Sequence, residues 1–168
     1  MRSSMAELFS HNLWANLRLI DFCAALDDPQ LDAAAPGTAG SIRETLVHIL
    51  MGEQWYVRLL SDQQLEHPIP ETFPGFDVLR EHAQWSGQAL IQIATDMPPD
   101  YVRRDVPGGP PYTFKAIALL IQAINHGAEH RGGIATALST LGITPPHIDG
   151  WAYAEAEGMI EGWRFYND

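Results

Sequence analysis

Apolar residues recur every three or four positions through four long segments, and proline or glycine separates each segment from the next. That periodicity commits the chain to amphipathic helices packed side by side, because an apolar stripe is stable only when another element covers it. The first helix runs from about Ser4 to Leu26, with Phe9, Leu13, Leu17, Ile20 and Ala24 on its stripe. Asp27-Asp28-Pro29 is expected to end it, since proline disfavours helix in the preceding residue. Ser41 stands three residues before Glu44, a capping box that opens a second helix reaching about Ser61. The prolines of residues 67–75 remove amide donors and stop any continuation. A third helix spans about Asp77 to Thr95, with Leu79, Ala83, Ser86, Leu90 and Ala94 on one side. The Pro/Gly-rich residues 97–114 hold either a short hairpin or an extended loop. Thr113 is the expected cap of a fourth helix, from about Phe114 to Leu141, which stops at Gly142. A short helix at about Trp151–Glu157 follows.

Four long helices in 168 residues predict an all-α fold: one four-helix-bundle domain over residues 1–168, with long connections and a short C-terminal helical tail. Acidic residues outnumber basic ones 21 to 10, for a formal net charge of -11, and Lys115 is the one lysine. Such a chain lacks the clustered cations that nucleic acid or an anionic membrane requires. No apolar run approaches the ~20 residues of a membrane span, and the N-terminal residues lack a signal-peptide stretch. Cys23 is the sole cysteine and is read as a buried, inert thiol. The expectation is a cytoplasmic protein that handles a small molecule. Gly-rich nucleotide loops, a Gly-x-Ser-x-Gly elbow and paired cysteines are all missing from the sequence.

The chemistry-bearing residues lie mainly on the fourth and second helices. His126 and His130 are four apart, so they share one helix face about 40° apart. Two imidazoles at that spacing suit one divalent metal ion, the alternative being a pair of core or surface histidines. The helix around them is apolar on nearly every side, which predicts that the pair points into the bundle. Gly127, Gly132 and Gly133 each cost about 1 kcal/mol in helix propensity relative to alanine, so something nearby gains from the lost bulk. On the second helix His48 shares a flank with Thr45, Gly52, Trp55 and Leu59, where it is either a third ligand or a satisfied core histidine.

Glu53 falls within the second helix's core line of Leu46, Ile49, Leu50, Val57 and Leu60, where an unpaired carboxylate would cost several kcal/mol. It pairs with a buried cation such as Arg131 or Arg18, or it orients a metal-bound histidine. Glu129 stands beside His130, and residues 126–130 match the inverted zincin pattern. A peptidase reading is set aside, because only 38 residues follow and no distant carboxylate ligand is evident. Glu-x-x-His, the di-iron bundle signature, is also missing. His11 is expected on the surface, His82 at the edge of the third helix, and His67 and His147 in loops. Trp55, Trp151 and Tyr153 either line a pocket or serve core and interface packing.

Four stretches in this order, HNLWANLRLID, SIRETLVHILMGEQWYVRLL, YTFKAIALLIQAINHGAEHRGGIATALSTLG and PPHIDGWAYAEAEG, resemble the DinB family of metal-binding four-helix bundles. His48 matches that family's second-helix histidine, and His126 and His130 followed by Arg-Gly match its hallmark. Gly133 departs from a position where glutamine is frequent. The resemblance implies one divalent ion per chain, nickel or zinc, held by His48, His126 and His130 with water on the open positions. It also implies a homodimer, and relatives include thiol-dependent S-transferases and isomerases that use bacillithiol or mycothiol. The expectation drawn here is a thiol S-transferase-like or hydrolytic activity on a small molecule through a metal-activated thiol or water. The alternative is a non-catalytic, stress-associated metal-binding protein.

Overall fold

A computed structural model describes residues 3–36, 38–61, 68–98, 100–104 and 113–166. Its four long helices are α1 (Ser4–Cys23), α3 (Ile42–Leu60), α4 (Phe76–Asp96) and α5 (Ala116–Thr140). Short helices α2 (Asp28–Leu31) and α6 (Gly150–Ala156) and a two-residue pair of strands, β1 (Val102–Arg103) and β2 (Phe114–Lys115), complete the described elements. The molecule is an all-α bundle, as the periodicity predicts. His67 lies outside the described residues.

The local signals explain most boundaries. Ser41 accepts from the Glu44 amide while the Glu44 side chain accepts from the Ser41 amide, so the expected capping box is formed. At the end of α5, Gly142 adopts φ 72°, and the Ile143 and Gly142 amides donate back to the Leu138 and Ser139 carbonyls. This doubly bonded C-cap needs a left-handed residue, and glycine takes that conformation without strain.

Two boundaries differ from the sequence expectation. The first helix stops at Cys23, and Asp27-Asp28-Pro29 begins α2 instead of merely ending α1. Asp27 accepts from the Gln30 amide, and proline in a first helical turn sacrifices no hydrogen bond. Thr113 caps nothing. Residues Phe114 and Lys115 pair antiparallel with Arg103 and Val102, so α5 starts only at Ala116, with Lys115 at the cap position. Of the two readings left open for residues 97–114, the described residues bear out paired strands, and residues 105–112 lie outside the described residues.

Around the bundle the neighbours run α1, α4, α3, α5 and back to α1, while α6 rests on the outside of α1. Leu79, Ala83, Ser86, Leu90 and Ala94 are all buried, as is the α3 line Leu46, Ile49, Leu50, Val57 and Leu60. Each fully buried aliphatic or aromatic side chain contributes roughly 1.5–3 kcal/mol relative to exposure. The apolar core falls into two clusters. One gathers Leu19, Ile20, Ile49, Leu50, Leu79, Ile134 and Leu138, and the other Phe9, Val57, Leu60, Leu90, Leu120 and Ala123. Between them along all four helices lies a buried polar layer of Asn12, Asn16, Glu53, Ser86 and Arg131. Cys23 is buried, and burial pushes its thiol up to about 12, which keeps it protonated and unreactive. No helix among the described residues is long and apolar enough to cross a membrane.

Candidate metal centre

The packing of α5 against α3 brings His48, His126 and His130 together. One ring nitrogen from each lies within 4.8 Å of the others. His126 Nε2 stands 3.2 Å from His48 Nε2, and the His130 ring centroid is 4.5 Å from each of the other two. Three nitrogens about 2.0–2.1 Å from one zinc ion stand about 3.4 Å apart in a tetrahedron, so the cluster needs only small side-chain adjustments to close on an ion.

The rings approach this closely because position 52 carries no side chain. A Cβ on Gly52 would lie 2.4 Å from His126 Cε1 and 2.8 Å from its Nδ1. The glycine on the α3 flank is therefore the seat of the His126 ring. Of the α5 glycines, Gly127 has a comparable role. A Cβ there would stand 2.8 Å from both Arg131 Nη1 and Asn12 Oδ1. Beside Gly132 there is open space among the described residues, so its loss of bulk serves none of their contacts.

The cluster sits on the rim of the bundle and not in its centre. His48 is exposed and the other two are half-buried, contrary to the expectation that the pair points into the core. The reason is that α5 is not covered on all sides: Ile121 is 51% exposed and Leu141 43%. Apolar composition all round that helix thus overstates its burial.

Electrostatics favour neutral imidazoles. Burial, then the neighbouring His130 and His48, lower His126 from 6.5 to about 4. His130 is lowered by burial and by His48, against the attraction of Glu129. At neutral pH both therefore present lone pairs, the form a metal ion requires. His126 Nδ1 is buried with no hydrogen-bond partner. One ring nitrogen from each of three histidines, two of them 3.2 Å apart, makes an all-nitrogen donor set that fits a borderline-soft divalent ion such as zinc or nickel.

Glu53 does not touch the histidines. Its Oε1 accepts from the side-chain amides of Asn12 and Asn16, each at 2.7 Å, and its Oε2 accepts from the Ser86 hydroxyl at 2.6 Å. The oxygens of the same two asparagines accept from Arg131 Nη1 at 2.8 and 2.7 Å. Glu53 and Arg131 thus form an ion pair relayed through two amides, not the direct contact expected of a buried pair. Arg18 takes no part; its guanidinium lies over the Trp14 ring. Burial pushes the Glu53 carboxyl up, opposed by its three donors and by Arg131. Burial also lowers Arg131 to about 10, still a cation at neutral pH.

The remaining candidates are dispersed. Glu129 is exposed on α5 near His130. Trp55 is 47% exposed and meets Tyr56, whose buried ring stands edge-on to His126, so Tyr56 borders the cluster and Trp55 lies next to it. Trp151 stacks on Phe165, and the Tyr153 hydroxyl donates to Glu7 at 2.7 Å; both belong to the α1–α6 side. His11, expected on the surface, is half-buried between Trp14 and Tyr153, with Nε2 3.0 Å from the Ile148 carbonyl. His82 contacts Gln54 at 2.6 Å, and His147 stacks on Tyr166. Sequence reasoning missed Asn12, Asn16 and Ser86 as partners of Glu53. The signal was two asparagines four apart on α1, beside its apolar stripe.

A model of the DinB family matches residues 1–164. No curated protein sequence matches the chain.

Proposed function

The chain belongs to the DinB family, and from that membership and its three converging imidazoles we propose a metal-dependent enzyme acting on a small molecule. The observation that carries this reading is a cluster, among the described residues, of three histidine nitrogens, one of them on an exposed histidine. Structural zinc sites close four protein ligands around the ion, whereas catalytic ones use three and leave a position open. His48, His126 and His130 would hold the ion, zinc or nickel. When bound, it would supply Lewis acidity, lowering the pKa of a water or a low-molecular-weight thiol toward neutrality.

The chain's own residues do the rest. Neutral imidazoles add no negative charge, so the full cationic character of the site is kept. Gly52 and the facing helix fix the His126 ring, and the exposed side of His48 gives a substrate its approach. The exposed Trp55 ring offers an apolar surface near the cluster against which a small electrophile or thiol can rest, while the buried Tyr56 ring backs His126. Glu53 holds the α3 helix through its amide relay and exchanges no proton with the site. Thiol S-transfer is the reaction class favoured here, with hydrolysis by activated water the neighbouring one.

The test is elemental analysis of untagged protein after metal-free dialysis, beside His48→Ala and His126→Ala. The protein loaded with zinc or nickel is then assayed with a thiol and an aryl halide, and with an activated ester. About one ion per chain, lost in both variants, with turnover that follows the ion, supports the reading. Bound metal without turnover on any pair would leave the non-catalytic alternative. No metal would remove the site.

A further inference from the structure

A cavity lies away from the three histidines, between α1, α6 and the chain on either side of α6. It measures about 390 Å³, within the range of small-molecule pockets. No residue of α3 or α5 lines it. Its walls include Arg18, His147, Glu155, Trp163, Arg164 and Tyr166.

The charge balance there runs against that of the whole molecule. In a chain of net charge -11, arginines find carboxylates easily. Arg43 reaches Asp28 and Asp32, and Arg80 reaches Asp21 and Asp77. Arg18 and Arg164 both line this cavity, and among the described residues neither pairs with a carboxylate. The carboxylate on the wall, Glu155, already accepts from the Phe165 amide. Arg18 is steadied by the Trp14 face, 5.4 Å from the ring centroid, so its position does not depend on an anion. His147 and Tyr166 stack at 3.7 Å and form a flat wall, and the Tyr166 hydroxyl donates to Asp149. The Trp163 ring is largely exposed at the rim.

We propose that this cavity is a binding site for a compact organic oxyanion, a carboxylate or phosphate ester carrying a planar apolar part. The two guanidiniums would grip the oxyanion with charge-assisted hydrogen bonds, and the aromatic wall would take the apolar part. The inference does not depend on metal at the histidine cluster.

The test is calorimetric titration of the full chain with benzoate, phenyl phosphate and neutral benzyl alcohol, repeated on Arg18→Gln, Arg164→Gln and His126→Ala. Both arginines are surface residues, so the variants should keep the wild-type circular dichroism spectrum. The expected result is that one or both anions bind at least about tenfold tighter than benzyl alcohol, and that each arginine variant loses about tenfold. Binding should persist in His126→Ala, and the better of the two anions identifies the headgroup. Binding of benzyl alcohol as tight as the anions, indifference to both arginine substitutions, no binding at all, or loss in His126→Ala would each overturn the assignment.

Discussion

The imidazole of His126 occupies the space that a side chain at position 52 would fill, with Cε1 only 2.4 Å from where that Cβ would sit. Real Cβ atoms do not tolerate such an approach, so alanine at 52 must push the ring away. Gly52→Ala should raise intrinsic helix propensity by about 1 kcal/mol, yet misplace the ring. The expected outcome is a fall in zinc affinity of tenfold or more with helix content preserved, read by competition against a chelating dye. Unchanged affinity would show that the ring has another place to go.

The relay between Glu53 and Arg131 should be costly to break from either end. Removing one member of a buried pair leaves an uncompensated charge, typically at about 3–5 kcal/mol. Arg131→Met should therefore destabilise by about 3 kcal/mol or more in urea unfolding, and Glu53→Leu similarly. Asn12→Ala should cost less, because Asn16 still bridges the two charges.

Glu53 also predicts a pH dependence. Its folded-state pKa lies above the ordinary 4.5, so the folded protein binds the proton more readily than the unfolded chain. That contribution is complete below 4.5 and is lost as pH rises through the folded value. Ser86 permits both states: it donates to the carboxylate, or donates to the His82 carbonyl 2.9 Å away and accepts from the protonated Glu53 carboxyl. Relative to Glu53→Gln, the wild type should lose stability as pH rises from 4.5, whatever the absolute difference between them.

The His126 contribution has the opposite sign. Its folded pKa is lowered from 6.5 to about 4, so the unfolded chain takes the proton first. Stability present above 6.5 should be lost as pH falls through that window to about 4. Metal-free wild type measured against His126→Leu should show this slope, and the variant should be flatter. The two slopes oppose each other in one pH range, so each is read as a difference from its own variant.

The long helices were legible because apolar periodicity and capping residues act within one segment. Ser41 with Glu44, and Gly142 after α5, set their boundaries by local hydrogen bonds. Residues whose partners lie on other helices were harder to read. Glu53 was visible as a buried carboxylate, but its partners come from α1 and α4, through residues 41, 37 and 33 positions away. The α5 histidines were paired correctly by spacing, while their exposure depended on which side of that helix other elements leave uncovered. Thr113 failed as a cap because strand pairing took the two residues after it, a competition that no single-segment signal reveals.

If the three histidines hold an ion that the unfolded chain does not, metal must stabilise the fold by mass action. At free zinc about a hundredfold above the dissociation constant the gain is about 2.7 kcal/mol. For a chain of this size that raises Tm by about 5–10 °C. Differential scanning fluorimetry of chelator-treated protein should show this rise on adding zinc, and its reversal on adding excess chelator. His48→Ala should start near the wild-type Tm, because its exposed ring contributes little to packing, and should then stay nearly flat with zinc. A full zinc response in His48→Ala would mean that the stabilising ion sits elsewhere.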